Sequence, residues 1–131
     1  MERRTITSGT EWESTVGYAR AVVVDGRVHV SGTTATDDSG AVVGEGDPYE
    51  QTRTALENVA SALERAGASL EDVVRTRLFV TDIDDWEAVG RAHEECFGEI
   101  RPATSMLEVR RLVDPAMIVE VEAEAVVSEE G

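Results

Sequence analysis

Few residue types in this chain of 131 residues can carry chemistry, and their spacing limits what that chemistry can be. There is one cysteine, Cys96, and there are two histidines, His29 and His93, too scattered for the clusters that hold zinc. Neither a metal site nor a cofactor is expected, and a single cysteine excludes an internal disulfide. Cys96 has no basic neighbour in sequence to lower its pKa, so an inert thiol is the ordinary reading and a nucleophile the special one. His93 shares the apolar side of a helical segment with Cys96, where a packed histidine is commoner than a proton shuttle. His29 reads as structural or exposed. The carboxylates are more suggestive. Glu120, Glu122 and Glu124 alternate with Val119, Val121, Ala123 and Ala125 in the manner of a strand with unlike faces. Glu122 is then either one acid of an arginine-paired face, opposite Arg75 and Arg77, or, where burial and neighbours set its pKa, a group that orients water.

The elements that must position these groups can be read in order. Residues 19–24 and 27–32 are β-branched runs joined by Asp25-Gly26, the dipeptide suited to a two-residue hairpin turn. A Gly- and Asp-rich loop (36–47) leads to Asp47-Pro48, with Glu50 three residues after the cap, and predicts a helix over 48–66. Leu56, Val59, Ala60 and Leu63 form its apolar stripe, and Gly67 closes it. Residues 73–81 alternate, with Val74, Leu78 and Val80 on one side and Arg75, Arg77 and Phe79 on the other. A second helix follows, capped by Asp84 and ended by Gly98, with Trp86, Val89, His93, Cys96 and Phe97 on one face. Residues 103–109 and 118–127 read as strands on either side of the Asp114-Pro115 turn. Two helices cover one face of such a sheet, so the other face, with Phe79, calls for water or a partner chain, and an oligomer is the natural inference.

Composition narrows the function further. With 41% apolar residues, the chain is long enough for one core, and residues 1–131 read as a single domain. No run of about 18 apolar residues exists, and the arginines at the start precede no apolar stretch; neither a membrane span nor a signal peptide is expected, and the cytoplasm is the default compartment. Twenty-seven acids against 12 bases, all of them arginine, give a net charge of −15. That field repels nucleic acid and anionic membrane, which bind through a basic face, and it suits a solvated surface in high salt.

Four segments, in order and at matching spacing from about Tyr18 to Val126, resemble the Rid (YjgF, reactive intermediate deaminase) family: QTRTALENVASALERAG, DVVRTRLFVTDIDDW, PATSMLEVRRL and VEVEAEAV. The resemblance implies an α+β, chorismate-mutase-like fold, a mixed sheet of about six strands with two helices packed on one face. It also implies a homotrimer with small-molecule clefts between subunits. In the family's deaminases the position of Thr104 carries an arginine that forks onto the carboxylate of a 2-imino acid while water attacks the imine carbon. Threonine lacks that charge and geometry. The family's cysteine corresponds to Met106 and a family asparagine to Gly90. What does match is Tyr18, lining the cleft, the Ser31-Gly32 strand end, Ser105 as a bond to a ligand oxygen, and Glu122 as the carboxylate that orients water. Tyr18 otherwise reads as a half-buried aromatic, and Thr104 as strand filler. Two functions follow as expectations: hydrolysis of a small reactive imine or enamine, with Arg20 or Arg101 of a neighbouring chain as further ligand contacts, or non-catalytic binding of a metabolite or partner by the trimer. A ribonuclease activity, a label sometimes given to the family, is disfavoured by the charge and by the absence of a basic aromatic stripe.

Overall fold

The computed structural model describes residues 2–128, so Glu129–Gly131 of the acidic tail lie outside the described residues. Six strands, β1 (Arg3–Ile6), β2 (Ala21–Val24), β3 (Arg27–Thr33), β4 (Val73–Val80), β5 (Ala103–Glu108) and β6 (Val119–Val126), form one sheet in the order β1-β2-β3-β6-β4-β5. Only β4 and β5 run parallel; the other neighbours are antiparallel. The helices α2 (Pro48–Arg65) and α3 (Trp86–Phe97) pack together, and α2 lies on β3 and β6. The expected α+β arrangement is present.

Each long element has a local cause. In the β2–β3 hairpin, Asp25 (φ 51°) and Gly26 (φ 76°) both take the positive φ that a tight turn with the strands' own twist requires. At the start of α2, the Asp47 carboxylate accepts the Glu50 backbone N–H at 3.1 Å, and Pro48 supplies a preset φ. Gly67 (φ 89°) turns the chain away at its end. The helix buries Gln51, Thr52, Ala55, Leu56, Val59, Ala62 and Leu63, a stripe at helical spacing that includes Ala62 in place of the expected Ala60. Gln51 is fully buried because its amide is used twice, donating to the Ala116 carbonyl at 2.8 Å and accepting the Ile118 N–H at 3.0 Å. Asp47→Ala should destabilise the protein by about 1 kcal/mol through the lost cap, read as a lower urea midpoint at unchanged m-value.

The structure departs from the sequence reading at several points. β1 and the short helix α1 (Glu11–Val16) were not foreseen: RRTI buries only Ile6, so no amphipathic pattern marks it, and β1 is a strand because it pairs with β2. Val74 does not join Leu78 and Val80. The β4–β6 register shifts between Val73 and Arg75, which buries Val73 and leaves Val74 exposed, while Thr76 takes its place on the helix side. The cap before α3 is Asp82, accepting from the Asp84 N–H at 3.0 Å over a 3₁₀ turn at Ile83–Asp85. Trp86 closes that turn and is exposed rather than part of the buried face of α3. Gly98 follows α3 with an ordinary helical φ of −57°, and the left-handed residue falls at Arg101 (φ 58°).

Candidate functional site

The sheet face away from α2 and α3 carries the polar half of each alternation. Cross-strand neighbours there are Arg77 with Glu122, Phe79 with Glu120 and Arg75 with Glu124. At the β3 end of this face a bulge between Val30 and Thr33 breaks the regular pairing with β6. The bulge brings the Gly32 backbone under the Glu120 side chain so closely that a Cβ on Gly32 would lie 1.8 Å from Glu120 Oε2. Glycine is therefore what lets this carboxylate lie flat against β3. Desolvation raises the Glu120 pKa above the ordinary glutamate value, the neighbouring Glu122 adds to the rise, and Arg20 opposes it. Among the described residues none donates a hydrogen bond to the Glu120 carboxylate.

Glu120 faces a cavity of about 640 Å³ whose walls include Tyr18, Arg20, Ser31, Gly32, Trp12 and Met117. The loop and helix missing from the sequence reading build its outer wall. Glu13, in α1, is buried to 5% exposure and accepts the Ser8 backbone N–H at 3.1 Å together with the Ser8 and Thr10 hydroxyls. Its carboxylate also stands 3.9 Å from Arg20 Nε. Arg20 is further held by a 3.3 Å bond to Thr33 Oγ1 and lies 5.6 Å from the centre of the Tyr18 ring, so three groups fix its guanidinium. The Ser31 hydroxyl donates to the Ala19 carbonyl at 2.6 Å, which ties the Tyr18 segment to β3.

Of the residues singled out from sequence, Tyr18, Ser31, Gly32 and Glu122 line this one cavity. Glu122 is also engaged elsewhere, 3.5 Å from Arg77 Nη1, which makes it one acid of a surface ladder that continues through Glu124 to His29. Glu120 is the more enclosed carboxylate, and sequence alternation alone could not rank the two, because both point to the same face. Thr104, Ser105 and Met106 are on β5, at the opposite edge of the sheet and three strand positions from β3. At about 4.8 Å per strand that is about 14 Å. Ser105 meets Arg75 Nη2 at 3.4 Å, and Met106 packs against the core.

The Thr104 side chain turns to the helix side. Its Oγ1 is 2.7 Å from Thr76 Oγ1, which in turn is 2.9 Å from His93 Nε2, and Thr104 donates to the Pro102 carbonyl at 3.1 Å. All three bonds are satisfied together when His93 donates from Nε2, Thr76 donates to Thr104, and Thr104 donates to Pro102. Burial lowers the His93 pKa, in keeping with a neutral ring packed 4.7 Å from Phe97. Burial and the nearby Glu95 and Glu57 raise that of Cys96, which disfavours a thiolate. No group of three or more His, Cys, Asp or Glu suited to a metal occurs among the described residues, and no helix there is long and apolar enough to cross a membrane.

A mixed six-stranded sheet with two main helices on one face is the chorismate-mutase-like α+β class. Within it the chain belongs to the family described as Endoribonuclease L-PSP, whose model matches residues 9–127, and its relatives carry the names YjgF, Rid and RutC. A structure of a YjgF/YER057c/UK114 family member from Mycobacterium tuberculosis shares 49% identity, with a TM-score of 0.87 over 96% of this chain and 100% of that one. An uncharacterised protein of Streptomyces coelicolor is 44% identical over 122 residues, 93% of this chain and 90% of its own length. TdcF of E. coli, solved with bound serine, is 30% identical, with a TM-score of 0.77 over 85% of this chain and 88% of that one.

Proposed function

We propose that this protein hydrolyses a small reactive imine or enamine-type metabolite in the cavity beside Glu120. The observation that carries the reading is an enclosed carboxylate, free of hydrogen bonds from described residues, facing a cavity large enough for a small metabolite. In the reaction, Glu120 takes a proton from water as the water oxygen bonds to the imine carbon, and the C=N π pair moves to nitrogen. The proton then passes to the nitrogen, the carbonyl forms as the C–N bond breaks, and ammonia leaves. Glu122, paired with Arg77, supplies negative charge that keeps the Glu120 proton affinity high. Bound serine in the related TdcF supports a ligand of metabolite size.

The same reading includes a cytoplasmic homotrimer with the cavity at a boundary between subunits. The sheet order supports it, since Thr104 and Ser105 cannot reach Tyr18 within one chain but a neighbour's β5 edge can. Thr104 stands where the deaminases of the family have arginine, so 2-iminobutanoate and 2-iminopropanoate should be poor substrates. A charge-assisted pair is worth about 1.5–3 kcal/mol, or about one to two decades of binding. Thr104→Arg should therefore raise kcat/KM for 2-iminopropanoate, generated in situ and followed as ammonia, by about 10–100-fold. An unchanged rate in the variant, with no acceleration over buffer for any imine, would defeat the hydrolase reading. A non-catalytic metabolite- or partner-binding trimer is the alternative, favoured by one observation: the Thr104 hydroxyl is already committed to Thr76 and Pro102. The net charge of −15 argues against an RNA substrate.

A further inference from the structure

We infer that the cavity beside Glu120 selects a cationic ligand without a carboxylate, an amine or a primary iminium ion carrying an apolar body of about benzyl size. The inference concerns the substrate class of the site proposed above and rests on that reading for its chemistry, though its charge preference does not. Four acids line the cavity, Glu11, Asp38, Glu120 and Glu122, against one base, Arg20. That arginine is not a free anchor for an anion. It is held by Thr33 at 3.3 Å, has the buried Glu13 carboxylate 3.9 Å from its Nε, and has Tyr18 beside it. An incoming carboxylate would meet net negative charge in a partly enclosed site, where low dielectric strengthens repulsion. A cation would meet Glu120, whose charge has lost solvation and gains most from a positive partner.

The apolar half of the lining supplies the second requirement. Trp12, Val16, Tyr18 and Val113 line this cavity and are large hydrophobic groups left exposed by the fold. Trp12 and Tyr18 offer π faces to a cation or an aromatic ring, and Val16 and Val113 offer area to an apolar body. A volume of about 640 Å³ exceeds what a three- or four-carbon imino acid fills. For an iminium ion the balanced reaction is R₂C=NH₂⁺ + H₂O → R₂C=O + NH₄⁺. Positive charge is present on the substrate throughout, and the acidic wall favours that species over the neutral imine.

Two ligands of similar size and opposite charge test the inference on the full chain. Phenethylamine should bind at least tenfold more tightly than 3-phenylpropanoate at pH 7 by titration calorimetry, and Glu120→Gln should reduce that ratio severalfold. Equal or reversed affinities, no binding of either ligand, or a ratio unmoved by Glu120→Gln would overturn it. Hydrolysis is read separately, as ammonia release from the imine that a monoamine oxidase makes from phenethylamine and from the imino acid that an amino-acid oxidase makes from phenylalanine. Faster release from the first supports both proposals. Preferred release from the second leaves the hydrolase standing and removes the cationic substrate. Amine selectivity without acceleration of either reaction retains the charge preference and removes the hydrolase.

Discussion

Glu120→Gln should lower imine hydrolysis by about 10²–10⁴-fold, the range lost when a positioned general base is removed. Glutamine keeps the shape over Gly32 but cannot take a proton. The pH profile separates this from a loss of packing. Desolvation, reinforced by Glu122, lifts the Glu120 pKa, so the rate in the parent should climb as pH rises through a value above the ordinary glutamate pKa of 4.5. The variant should lack that limb. Stability should move in the opposite sense. A carboxyl group with a raised pKa binds its proton more tightly in the native state than in the unfolded chain, so its stabilising contribution is complete below 4.5 and declines as pH rises through the raised value. The variant removes this decline and should be at least as stable as the parent at pH 7 in urea titrations. A variant with full activity would show that Glu120 is not the base, and would return attention to Glu122.

Gly32→Ala should be nearly as damaging to activity and almost silent in stability. A Cβ built there lies 1.8 Å from Glu120 Oε2 and 2.8 Å from its Cδ, so the carboxylate must leave its position. Because these atoms are the end of a flexible side chain, the fold accommodates the methyl group by letting Glu120 swing away. Gly32 has no positive φ to forbid alanine, and alanine in a strand gains about 0.5–1 kcal/mol of backbone entropy that offsets the displacement. A misplacement of about 1 Å at a reacting centre costs on the order of 10²-fold. Activity assays beside a thermal melt should show a loss of about that size with the transition little changed. Retained activity would mean that the position of Glu120 over β3 does not matter to the reaction.

Local patterns were sufficient for the elements whose causes are local. Asp25-Gly26 specified the hairpin, Asp47-Pro48 the start of α2, and strict alternation the two faces of β6, including the pairing of Glu122 with Arg77. The family resemblance was likewise legible, since it depends on residue types in order. It led to Tyr18, Ser31, Gly32 and Glu122, all of which line one cavity. β1 and α1 were missed because neither buries enough to leave a periodic signal; β1 is held by pairing with β2, and α1 by the Glu13 carboxylate binding back to Ser8 and Thr10.

By itself, then, the sequence determined the α+β order of the main elements, the acidic field and the face on which the chemistry lies. Only the tertiary structure decided which carboxylate on that face is enclosed. Glu120 and Glu122 are equivalent in period and type, and they differ because a bulge in β3 brings Gly32 beneath one of them while Arg77 engages the other. Thr104 was ambiguous for the same reason, its hydroxyl being turned toward Thr76 and His93 by strand register. Desolvation and register are sums over residues distant in the chain, so no local pattern encodes them.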